Sequence, residues 1–92
     1  MKEKFIEIYR THIKRPGAEE LLAYLEKSDF FTAPASTRFH LSVPGGLCQH
    51  SVNVYEQLHD QYFHYLMQKP GFTGLSAEQE ETIAIVGLLH DL

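Results

Sequence analysis

One stretch limits the folds open to this chain more than any other: Glu81–Leu92, ETIAIVGLLHDL. From Ile83 to Leu89 it is apolar nearly all round, so a helix built from it leaves no face for water. Such a helix belongs at the centre of a helical bundle, with neighbours on several sides. It then closes on His90-Asp91. A carboxylate beside an apolar helix is costly to bury unless it is paired or bound to a cation. The negative end of the helix dipole raises that cost further. The placement asks for a cation.

The rest of the sequence supplies helices and no strand signal. Phe5, Ile8, Tyr9 and Ile13 predict one face of a helix over residues 3–14. Pro16-Gly17 ends it. A second helix follows over AEELLAYLEK, residues 18–27, with acids early and a lysine late as the dipole favours. Leu21, Leu22 and Leu25 form its buried stripe. Residues 45–68 carry the clearest helix, with Leu47, His50, Ser51, Val54, Leu58 and Tyr62 on one side, and Lys69-Pro70-Gly71 stops it. The last helix starts at a capping box, with Ser76 as N-cap and Gln79 three residues on.

Between the second and third helices the period fails. SDFFTAPASTRFHLSVPGG, residues 28–46, reads as a long loop with one short turn near Asp29–Phe31. Loops of this length inside compact domains are usually functional or disordered. Phe30, Phe31, Phe39 and Leu41 would anchor this one to the core, which favours function.

Composition closes off several alternatives. At 92 residues the chain holds one domain, and 43% hydrophobic with 22% charged residues fits a globular protein rather than a disordered one. No apolar run reaches the roughly 20 residues a bilayer span requires, and MKEKFIEIYR has no signal-peptide centre. Cys48 is the single cysteine, so no intramolecular disulfide forms, and a reducing cytoplasm is the expected location. The net charge of −4 argues against an extended nucleic-acid surface. Residues 2–15 nevertheless carry Lys2, Lys4, Arg10, Lys14 and Arg15 against only Glu3 and Glu7. This basic stretch reads as a solvated helix face.

Six histidines are many for this length, but they form no tract. His50 lies on the apolar stripe of the third helix, where a histidine alone is more often a hydrogen-bonded core residue. Two antiparallel helices, however, can bring His50 and the adjacent His90-Asp91 to one point. Neutral imidazole and carboxylate suit borderline or hard divalent metals. Three protein ligands leave positions for water and substrate, whereas a closed structural zinc site would need several cysteines. His59 and His64, in QLHDQYFHYL, read as packing or an exposed polar edge rather than a second site. His12 reads as solvent-facing, and Cys48 as a small core or surface thiol on the side of the helix opposite His50.

His50 in PGGLCQHSVNVY, followed forty residues later by His90-Asp91 in IVGLLHDL, resembles the HD-domain superfamily of metal-dependent phosphohydrolases. FHLSVPGGLCQHSVNVYEQL is also similar to the branch containing HD-type 3′–5′ exoribonucleases. The likeness covers about residues 36–92. It implies an all-α, HD-domain-like helical bundle. Residues 1–35 would form an N-terminal helical segment, and residues 36–92 the first part of an HD-type domain packed with it.

The resemblance implies that His50, His90 and Asp91 ligate a divalent ion: manganese, iron, zinc, magnesium or nickel. Asp91 is thereby placed in the catalytic set. Arg38 and His40, on the loop leading into the ligand helix, become candidates for holding a substrate phosphate. The implied activity is hydrolysis of a nucleotide, an oligonucleotide or a related phosphoester. The family's later aspartate ligand has no counterpart here, and the bundle reads as truncated after the His-Asp helix, so this stretch alone is expected to be an incomplete or inactive portion. The alternative is a non-catalytic helical module binding a nucleotide or a partner. The exposed apolar last helix is expected to drive self-association.

Overall fold

The computed structural model describes residues 1–34 and 44–91. Among them four α-helices follow one another with no strand: α1 Lys2–His12, α2 Ala18–Lys27, α3 Gly46–Met67 and α4 Ala77–Leu89. The protein is all-α. None of these helices is long and apolar enough to cross a membrane.

The first two helices form an elbow. Phe5 and Tyr9, one turn apart, are both fully buried, and Ile13 follows as an extended C-cap one residue beyond α1. Tyr9 packs its ring in the core while its hydroxyl donates to the Ala18 carbonyl at 2.6 Å. The hydroxyl is thus satisfied and ties α1 to the first residue of α2. Between them Gly17 sits at φ 89°, a left-handed conformation that any side chain would strain. Leu22 and Leu25 complete the buried stripe, with Leu21 at its half-buried margin.

The aromatic pair after α2 anchors the chain as expected. Phe30 and Phe31 pack on Phe5 with ring centroids 5.1 and 5.2 Å away. The Asp29 carbonyl accepts from the backbone N–H groups of Thr32 and Ala33, closing a turn there. The start of α3 is then bonded to that turn: Gly45 N–H donates to the Thr32 carbonyl, and Leu47 N–H to the Ala33 carbonyl. These two bonds fix where α3 begins, and so where His50 stands. Arg38, His40, Phe39 and Leu41 lie outside the described residues.

α3 and α4 run antiparallel, with His50 near His90 at one end and His59 near Glu80 at the other. The capping box at the start of α4 is present in full. Gln79 N–H donates to Ser76 Oγ at 3.1 Å, and Ser76 N–H donates to the Gln79 side-chain oxygen at 2.9 Å. Both helices depart from the expected burial. On α3 the buried set is Gly46, Cys48, Ser51, Val52 and Tyr55, whereas Leu47, His50, Val54 and Leu58 are only partly buried and Tyr62 is exposed. The core face is therefore rotated toward Cys48, which is not opposite the packed side. α1 and α4 both pack on α3 and select that face.

Among the described residues, α4 is not covered on every side. Ile83, Ala84, Gly87 and Leu88 are buried, Ile85 and Leu89 half-buried, and Val86 is 51% exposed. Beside Val86 an open groove of about 750 Å³ runs between α3 and α4, lined by Leu58, Tyr62, Thr82 and Ile83. The basic residues of α1 and its following turn meet acids from the other helices: Lys2–Glu26, Lys4–Glu56, Arg10–Glu19 and Arg15–Glu81. His12 is half-buried with its ring 6.4 Å from that of Tyr55, rather than facing solvent.

Candidate metal centre

The start of α3 and the end of α4 bring His50, His90 and Asp91 together. One ligand atom from each lies within 4.8 Å of the other two. Asp91 Oδ2 stands 3.3 Å from His50 Nε2 and 3.2 Å from His90 Nε2. Metal–nitrogen and metal–oxygen bonds of about 2.0–2.2 Å at tetrahedral or octahedral angles put neighbouring ligands about 3–3.5 Å apart. Both Asp91 separations fall in that range. The donor set, two imidazoles and a carboxylate, fits a divalent cation.

The protonation pattern sharpens the point. His90 Nδ1 is 2.8 Å from the Gly87 carbonyl, which can only accept, so Nδ1 carries the proton. This bond also satisfies one of the carbonyls orphaned at the C-terminal end of α4. A neutral His90 then points the Nε2 lone pair at Asp91 Oδ2. Two acceptors 3.2 Å apart repel unless a proton or a metal lies between them. Held by its other ring nitrogen to a backbone carbonyl, His90 has the arrangement common to metal-ligating histidines.

Access is open as well. The three side chains are 38%, 29% and 42% exposed for His50, His90 and Asp91. Asp91 therefore does not sit buried beside the apolar helix, as its sequence position suggested. It lies just past α4 in a turn, where solvent and two imidazoles share the cost of its charge.

Among the described residues, the other histidines and Cys48 do not join the centre. His59 Nε2 pairs with Glu80 Oε1 at 2.6 Å, tying the far end of α3 to the first turn of α4. His64 Nδ1 bonds the Asp60 carbonyl within its own helix. Burial pushes the Cys48 thiol up from its ordinary value, and the positive N-terminus offsets only part of this. A buried thiol so shifted is a poor nucleophile. Gly87 escaped the sequence reading altogether, although a lone glycine inside an apolar helical run is a known sign of close packing. Comparison of the chain with protein-family models, with curated proteins and with solved structures found no match.

Proposed function

We propose that the protein is a metal-dependent phosphohydrolase of the HD type, acting on a nucleotide, an oligonucleotide or a related phosphoester. The observation that carries this reading is the convergence of His50, His90 and Asp91, from two helices forty residues apart, on a common point. A divalent ion there would supply Lewis acidity toward water and toward a phosphoryl oxygen. The chain's own contribution is to hold the ligands. His50 is positioned by the bonded start of α3, and His90 by the Gly87 carbonyl. Asp91 brings the negative charge that favours a dication over a single proton. Their partial exposure leaves room for water and a phosphate group to reach the same point. Arg38 and His40, six and four residues before the bonded helix start at Pro44-Gly45, supply a cation and a second hydrogen-bonding group for that phosphate.

Titration calorimetry on metal-stripped protein with Mn²⁺, Fe²⁺, Zn²⁺, Mg²⁺ or Ni²⁺ tests the reading. One site per chain is expected, abolished in His50→Ala. Metal-loaded protein is then offered a nitrophenyl phosphomonoester and a phosphodiester. Absence of stoichiometric binding to any of the five ions overturns the proposal. Binding without turnover of either ester would favour the non-catalytic binding module instead.

Self-association through the last helix remains part of the proposal, supported by the exposed Val86 and the apolar groove beside it. Sedimentation should show a concentration-dependent dimer that Val86→Glu weakens. A monomer at every concentration would remove it.

A further inference from the structure

Gly87 lies inside α4, and its missing side chain is required by a neighbour. A Cβ built on it would lie 2.6 Å from Tyr55 Cα, 2.9 Å from Tyr55 Cβ and 3.2 Å from Tyr55 N. Two of these three atoms are backbone, so no rotamer change at Tyr55 relieves the contact. Glycine is thus what lets α4 lie against the backbone of α3 at this crossing. The same residue, through its carbonyl, accepts the Nδ1 proton of His90 at 2.8 Å. Its α-carbon sets the separation of the two helices, and its carbonyl sets the ring that α4 turns toward His50.

We infer that Gly87 is the positioning residue of the His50–His90–Asp91 centre, coupling helix separation to the orientation and tautomer of the His90 ligand. The inference rests on the metal reading for its functional meaning, while its structural half stands on the geometry of the ring alone. Pushing the helices apart by a methyl group moves the Gly87 carbonyl and the α3 side of the centre relative to each other. Because both effects run through one residue, a variant here should lose ligand geometry out of proportion to its loss of stability. Substitutions at groups that orient metal-bound histidines typically cost about 10- to 100-fold in affinity.

The test uses the full chain. Imidazole nitrogen NMR on the metal-free wild type at mildly alkaline pH should show His90 protonated at Nδ1, with Nε2 unprotonated. Gly87→Ala should lose that preference and bind Zn²⁺ or Mn²⁺ about 10- to 100-fold more weakly. Leu22→Ala, a cavity variant in α2 remote from the centre, should keep the preference and the affinity despite its lower melting temperature. The inference is overturned by a wild-type His90 protonated at Nε2, or by Gly87→Ala binding as tightly as wild type. Equal weakening in Leu22→Ala would overturn it too. Wild-type protein that binds neither ion defeats the metal reading, and the His90 tautomer then decides the role of Gly87 alone. It decides also where Gly87→Ala fails to fold.

Discussion

The two ends of the α3–α4 pair use the same chemistry to different effect. At one end His59 and Glu80 meet one to one at 2.6 Å, a closed pair in which donor and acceptor complete each other. At the other, two imidazoles face a single oxygen of Asp91 at 3.3 and 3.2 Å, and one imidazole has already spent its proton on a carbonyl. The first arrangement is a clasp between helices. In the second, the Nε2 lone pair of a neutral His90 faces a carboxylate oxygen, a contact that a proton or a cation would complete. Histidine and carboxylate at a helix boundary do not define a metal centre. The count of donors against acceptors is what separates the two ends.

That contrast can be broken most forcefully with metal. At a free-ion concentration one hundred times the dissociation constant, binding stabilises the folded state by about 2.7 kcal/mol, and the melting temperature of a domain this size rises by about 10–20 °C. The rise should vanish in His50→Ala and in Asp91→Ala, and persist in Glu80→Gln. Calorimetric melts with and without the ion measure it. A rise lost equally on changing Glu80 would erase the distinction between the two ends.

The next effect belongs to the clasp. Glu80→Gln removes the charged half of a short bond, and with both side chains about a quarter to a third exposed the loss should be about 1 kcal/mol. Denaturant melts should show it, with no change in metal affinity. At the His50 end, Ser51 adds a smaller effect of opposite sign. Its side chain is fully buried and its Oγ has no hydrogen-bond partner among the described residues. Ser51→Ala deletes an unsatisfied hydroxyl and should stabilise the fold by up to about 1 kcal/mol.

The weakest signal concerns Glu81, beside the clasp. The Lys14 backbone N–H holds its carboxyl below the usual carboxylate range, opposed by partial desolvation and helped by the Arg15 guanidinium. A carboxyl lowered in the folded state contributes stability above its ordinary value and loses it as pH falls through the folded value. Glu81→Gln should therefore lose this contribution at neutral pH, converge on wild type as pH falls, and so flatten the acid limb of the stability profile. An unchanged acid limb would show that Glu81 is not held this way.

Local signals in the sequence marked the helices well. Pro16-Gly17, Lys69-Pro70-Gly71 and the Ser76–Gln79 box all fall at helix boundaries, because each acts through its own backbone and needs no distant partner. The clustering of the three residues was also legible, since His50 stands in the first turns of α3 and His90-Asp91 just past α4, ends that antiparallel packing brings together. What the sequence hid was which face of α3 turns inward. That helix carries apolar residues on more than one side, and the choice of Cys48, Val52 and Tyr55 over Leu47, Val54 and Leu58 is made by α1 and α4. The openness around Val86 was hidden for the same reason: an all-round apolar helix states what it could bury, not how many neighbours it has. Gly87 interrupts that apolar run, a sign of close packing, but the partner it packs on, the Tyr55 backbone, is set by the α3–α4 crossing and not by local sequence.

The antiparallel register of α3 and α4 makes the centre a ruler. Sliding one helix by a single turn, about 5.4 Å, would carry His90 past His50 and set Val86 or Gly87 in its place. No mixture of registers could hold an ion with all three ligands. A bound paramagnetic ion would therefore report the alignment of two rods along their whole length, and an engineered shift of four residues in α4 should silence it.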